Sequence, residues 1–179
     1  MDATFNPDKQ HTLASAISIA GTGLHTGIFV NMTLKPANPG YGFQFQRIDL
    51  PEMPVIKADC DFVTDTSRGT TLESNGVTVS TVEHVLAALV GMGVDNCHIE
   101  INGPEIPIID GSSEPFIEII VEAGVAEQEA AKAWYSIDEN ITYYDELKRV
   151  EMTALPATDY KITTLIDFNS PVLGTQHAQ

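Results

Sequence analysis

At 179 residues, 43% of them hydrophobic, the chain has room for one or two domains of roughly 100–200 residues each and is too apolar to stay disordered. A formal net charge of -16 opposes a phosphate backbone, which excludes nucleic acid as a partner; the few basic residues in patterned segments (Arg47, Arg68, Lys148, Arg149) still admit a small anion if they converge. No apolar run approaches the ~18–20 residues that cross a bilayer, and MDATFNPDKQHTL has no basic start followed by an apolar block, so no transmembrane segment or signal peptide is expected and the default location is cytoplasmic.

Residues 13–20 (LASAISIA) alternate loosely and predict a strand, and GTGLHTG at 21–27 follows as a Gly-rich turn. Residues 28–35 alternate again, with Ile28, Val30, Met32 and Leu34 on one face, closed by Pro36, Pro39 and Gly40. A short strand fits 43–48, and 54–63 read as extended chain. Asn75-Gly76, between 70–72 and 77–79, supplies the positive φ angles of a two-residue hairpin turn. The period then changes. Val82, Val85, Leu86 and Leu89 fall at helical spacing, and Gly91 and Gly93 can end the helix. Residues 95–102 return to alternation, with Cys97, Ile99 and Ile101 facing one way and His98, Glu100 and Asn102 the other. A Pro-punctuated apolar run at 104–109 ends at Asp110-Gly111. A second helix is predicted over 114–123, capped by Ser112 or Ser113, with Pro115 in its first turn and Gly124 as its stop.

Residues 126–133 turn polar and small and read as the link between two domains, 1–128 and 129–179. Beyond the link come strand-like runs at 135–144, 150–155 and 160–168, with no helix to cover them and no obvious terminal element. This order of elements predicts an α+β fold, a two-layer α/β sandwich followed by an incomplete second domain of similar kind. Cys60 and Cys97 form no CxxC pair, and both are expected as buried free thiols in strands.

The sharpest candidate for chemistry is Ser80-Thr81-Val82-Glu83-His84. One reading is structural: Ser80 as cap and Glu83 three residues later form a capping box. The other is catalytic: an imidazole suited to a metal stands beside a carboxylate able to take a proton from water, and adjacent helix positions point about 100° apart. A catalytic zinc needs about three protein ligands. His11, His25, His98 and His177 are scattered, without HxxxH or HExxH spacing. The glycines of 21–27 do not fit a dinucleotide fingerprint, because the spacing is wrong and a strand follows. His25 is then a turn residue. PEIPIIDGSSEPF at 104–116 is explained as a stiffened strand, a turn and a capped helix that supports the one bearing His84.

Three segments stand in order: GTGLHTG, STVEHVLAALVGMGVDNCHIEINGPE and IPIIDGSSEPF. Together they resemble the N-terminal half of the UDP-3-O-acyl-N-acetylglucosamine deacetylase family. The likeness runs from residue 14 to the end and weakens after 126, although IDFNSP near the C-terminus shares it. DTSRGTTL at 65–72 and SPVLGTQHAQ look closest to versions fused to a 3-hydroxyacyl-carrier-protein dehydratase.

The resemblance implies two similar α/β domains sandwiching an active site with one Zn2+. It implies removal of the N-acetyl group from a UDP-3-O-acyl-glucosamine-type substrate in lipid A biosynthesis. On matching positions His84 is a zinc ligand and Glu83 the general base that activates water at the zinc. Ser67, in the 66–69 loop, touches substrate through its backbone, and Lys148 approaches the diphosphate. Arg68 stands where some members carry a small or sulfur-containing residue. The family's HKxxD motif, which supplies its other zinc ligands, is not found here. The 179 residues alone are therefore expected to be inactive, the C-terminal half of the same enzyme being the missing partner. A second reading is a non-catalytic folded module that binds or assembles with a partner.

Overall fold

In the computed structural model, which describes residues 6–179, alternation becomes strand wherever one face can be buried. The chain forms β1 (Lys9–Leu13), β2 (Ile17–Thr22), β3 (Phe29–Pro36), β4 (Phe43–Arg47) and β5 (Val55–Lys57), then β6 (Val63–Asp65), β7 (Thr71–Ser74) and β8 (Val77–Val79). Helix α1 (Glu83–Gly91) leads into β9 (Cys97–Ile101), and helix α2 (Glu114–Ala123) into β10 (Val125–Ala131). The chain divides into the units Met1–Lys132 and Ala133–Gln179.

The first unit is built on a five-stranded sheet in the order β2-β3-β9-β4-β5, antiparallel throughout except for the parallel β4–β9 pair. Ile99 of β9 lies opposite Leu34 of β3 on one side and Phe45 of β4 on the other. That register puts Met32, Leu34, Phe45, Ile99 and Ile101 on one fully buried face. Each such side chain contributes roughly 1.5–3 kcal/mol when removed from water. Val85, Ala88 and Leu89 of α1 and Phe116, Ile120 and Ala123 of α2 join the same core, so the helices cover one face of the sheet. The opposite face is polar: Lys35 pairs with Glu100 at 2.6 Å, and His98 hydrogen-bonds Tyr41 and Gln46. The result is an α+β fold with its helices in one layer.

Strands β6-β7-β8 form a separate antiparallel sheet, and β1 pairs with β10. The β7–β8 turn is as the sequence predicts, with Asn75 at φ 52° and Gly76 at φ 79°. Among the described residues, no helix is long and apolar enough to cross a membrane.

Four local expectations change. The segment 13–20 is not one strand. Its corner at 14–16 is made by Ala14 N–H donating to Gly124 O and the Ser15 hydroxyl donating to Ala123 O, which ties it to the end of α2. Ile28 is 46% exposed, because β3 begins after Gly27 at φ 67° and Ile28 belongs to the preceding turn. Residues 126–131 form strand β10 rather than a link, since their backbone pairs with β1. Cys97 is buried in β9, and burial pushes its thiol up to about 12, whereas Cys60 is exposed in a short 3-10 turn.

The second unit contains β11 (Ile141–Asp145), β12 (Val150–Ala154), β13 (Thr164–Asp167) and β14 (Thr175–Ala178), paired as two hairpins. The run expected at 135–144 is strand only from Ile141, and β14 was not anticipated. None of these strands holds a buried side chain.

Candidate active site

Helix α1 does not begin with the capping box. The position before Glu83 is Val82, which makes no side-chain cap bond. Ser80 is used elsewhere: its N–H and hydroxyl both reach Pro104 O, at 2.9 and 3.2 Å, and its carbonyl accepts from Ile106 N–H. This bridge to 104–106 takes Ser80 away from the helix end. It also turns the chain sharply at Thr81, which sits at φ 60°. A left-handed conformation costs a β-branched residue roughly 1–2 kcal/mol, so something must hold it there.

The holder is Glu105. Its side chain is fully buried. It accepts from the Thr81 hydroxyl at 3.0 Å, from His25 N–H at 2.9 Å and from Thr26 N–H at 2.7 Å. Burial alone would push this carboxyl up, but the hydrogen bonds from His25, Thr26 and Thr81 outweigh it and hold Glu105 below the usual carboxylate range. The group is therefore a buried anion surrounded by donors.

With the cap unmade, the Glu83 carboxylate turns to the 66–70 loop. Oε2 accepts from Thr70 N–H at 2.9 Å. Oε1 lies against Gly69, where an added Cβ would come within 3.1 Å of it. The same loop is tied to the Gly-rich turn by His25, whose Nε2 is 3.1 Å from Arg68 O. A carbonyl only accepts, so this ring nitrogen carries the proton. Between these parts lies a cleft of about 210 Å³ lined by His25, Asp65, Arg68, Gly69, Thr71, Ser80 and Thr81. A larger hollow of about 420 Å³ lies on the polar sheet face, beside Lys35, Tyr41 and His98. It faces away from the helix layer and shares no residue with this chemistry.

His84 is half-buried, and its imidazole lies within electrostatic reach of Asp110. Hydrogen bonds from Ser112 N–H and hydroxyl hold the Asp110 carboxyl low, with a smaller contribution from His84.

Residues 10–179 match the model of the family described as LpxC: UDP-3-O-acyl N-acetylglycosamine deacetylase. The chain belongs to this family. A UDP-3-O-acyl-N-acetylglucosamine deacetylase of Myxococcus xanthus is 47% identical over 168 residues, covering 94% of this chain and 53% of that protein. Two proteins named bifunctional enzyme LpxC/FabZ also match: that of Chlorobaculum tepidum is 46% identical over 94% of this chain and 36% of its own length, and that of Bacteroides thetaiotaomicron 44% identical over 95% and 37%. The chain thus spans about half the length of the deacetylase and just over a third of the bifunctional proteins.

In this LpxC-family chain the first unit brings together Glu83, His84 and the loop bearing Ser67. Ser67 is exposed, and both its N–H and its hydroxyl bond the Asp65 carboxylate. Lys148 belongs to the second unit, exposed in the turn between β11 and β12, where its N–H bonds Asp145. Among the described residues the only group of three close metal-ligand atoms is exposed Asp59, Cys60 and Asp61, which does not include His84. Glu105, Thr81 and Thr70 escaped the sequence reading. The available signal was a lone carboxylate inside the apolar run PEIPII, because a charge buried among apolar neighbours must be satisfied by donors.

Proposed function

We propose that this chain is part of a zinc-dependent, cytoplasmic enzyme that removes the N-acetyl group from a UDP-3-O-acyl-N-acetylglucosamine substrate in lipid A biosynthesis. One observation carries the reading: the Glu83 carboxylate makes no helix cap but accepts from Thr70 N–H and lies against Gly69, a residue that lines the cleft. The names of the family and of the Myxococcus xanthus relative supply the reaction. A fused dehydratase belongs to the same proposal and rests on the bifunctional names of the two other relatives.

In this reading Glu83 is the general base. It takes a proton from the water that attacks the acetamide carbonyl, and the proton passes to the leaving nitrogen as the C–N bond breaks, giving acetate and the free amine. His84 offers one imidazole to the zinc, and the remaining ligands come from outside these residues. The zinc, when bound, supplies Lewis-acid polarisation of the carbonyl. The backbone of the Ser67 loop contacts the substrate, and Lys148 serves its diphosphate.

The test is Glu83→Gln in the full-length protein. The amide keeps an acceptor for Thr70 N–H, so folding should change little. Loss of the base should lower turnover by roughly 10²–10⁴-fold. Deacetylation at the wild-type rate in this variant would remove Glu83 from the role.

A further inference from the structure

We infer that Glu105 is a positioning residue that sets the direction of the Glu83 carboxylate; the inference rests on Glu83 being the base. Two routes connect them. The first is short: Glu105 accepts from the hydroxyl of Thr81, two residues before Glu83, and Thr81 is the residue with φ 60° that aims the start of α1. The second runs through the loop. Glu105 accepts from His25 N–H, the His25 ring donates to Arg68 O, and two residues on Thr70 N–H donates to Glu83 Oε2. The backbone that carries the carboxylate and the loop that grips it are thus referenced to one fully buried anion.

The chemistry of the clamp requires a carboxylate. The partners of Glu105 are donors: His25 N–H, the N–H and hydroxyl of Thr26, and the Thr81 hydroxyl. Glutamine has the same shape, but its NH2 group would face one of these donors and leave it without an acceptor. The left-handed turn at Thr81 would then lose its restraint and relax. Removing the hydroxyl while keeping the branched shape, in Thr81→Val, should have the same consequence.

The experiment measures steady-state kinetics and backbone amide exchange on Glu105→Gln, Thr81→Val, Thr81→Ser and the Glu105→Gln/Thr81→Val double variant in the full-length protein. A base displaced by about 1 Å loses on the order of 10²-fold in rate. Glu105→Gln and Thr81→Val are each expected to lower kcat per folded molecule by about that factor, with a smaller change in KM from the 66–70 loop that they also anchor. The Thr70 amide should exchange faster while the Ile99 amide in the core does not. Thr81→Ser, which keeps the hydroxyl, should retain kcat, and the double variant should be no worse than the poorer single one. If Glu105→Gln does not fold, Thr81→Val carries both readouts. The inference is overturned if the folded variants keep wild-type kcat and unchanged Thr70 exchange, or if lost activity only tracks lost folded protein. Full turnover in Glu83→Gln, together with a freed Thr70 amide in Glu105→Gln, would sink the base assignment and leave the positioning geometry standing.

Discussion

Gly23 stands where the buried clamp leaves no room. A Cβ there would lie 2.5 Å from Glu105 Oε2 and 2.6 Å from Thr26 Oγ1. Neither atom can retreat cheaply, because Glu105 is pinned by its donors and Thr26 is part of the turn it grips. Gly23→Ala should therefore destabilise the first unit by about 1–3 kcal/mol, the usual cost of forcing a methyl group into packed surroundings. Urea unfolding followed by far-UV circular dichroism measures it, and an unchanged midpoint would show that the clamp has slack. At this scale the sequence was uneven as a guide. Glu83 and His84 stood out because an acid beside an imidazole at a helix start is a recognisable pair. The capping box misled because its pattern is local, whereas Ser80 is claimed by a segment more than twenty positions away, at Pro104. Thr81 at positive φ had no local signal at all, since threonine ordinarily avoids that region.

Among elements, legibility followed burial. Strands β3 and β9 were readable because alternate residues lie in a shared core, and the two helices because their apolar stripes close over it. Strand β10 was hidden by its polar composition: AEQEAA pairs through backbone with β1 and buries little side chain, so its pattern carried no period. The short β14 was hidden for the same reason. The hairpins β11–β12 and β13–β14 differ from the main sheet in kind. Each is two-stranded and holds no buried side chain, and two-stranded hairpins alone are marginal in water. Amide exchange on the 179-residue chain should therefore show the slowest protons in β3 and β9 and fast exchange throughout β11–β14. Equal protection in the two sets would mean that the hairpins gain cover in solution.

The molecule as a whole carries a formal charge of -16 at pH 7, and several of its carboxylates are held by hydrogen bonds or ion pairs. Among the described residues, every carboxyl with a shifted proton affinity is shifted down: Asp49 by Arg47, Asp59 by the Asp61 N–H, Asp65 by the N–H and hydroxyl of Ser67, Asp110 by Ser112, Glu129 by Lys9, and Glu105 by its donors against the opposing effect of burial. A carboxyl held low in the folded chain releases its proton at lower pH than in the unfolded chain. Its stabilisation is complete above the ordinary carboxylate range, about pH 4, and is lost as pH falls through the folded value. Protonation also relieves repulsion, which would favour the fold. That effect acts over distances screened beyond roughly 8–10 Å in ordinary salt, whereas the hydrogen bonds act in contact, so their loss should dominate. Urea midpoints of the wild type should stay nearly level from about pH 7 to 5 and drop below about pH 4. Glu105→Gln, which has no proton to gain, should be the weaker protein at neutral pH, and its deficit should shrink as the wild-type carboxylate is protonated. A deficit that stayed constant down to about pH 3 would show that Glu105 contributes by shape and not by its charge.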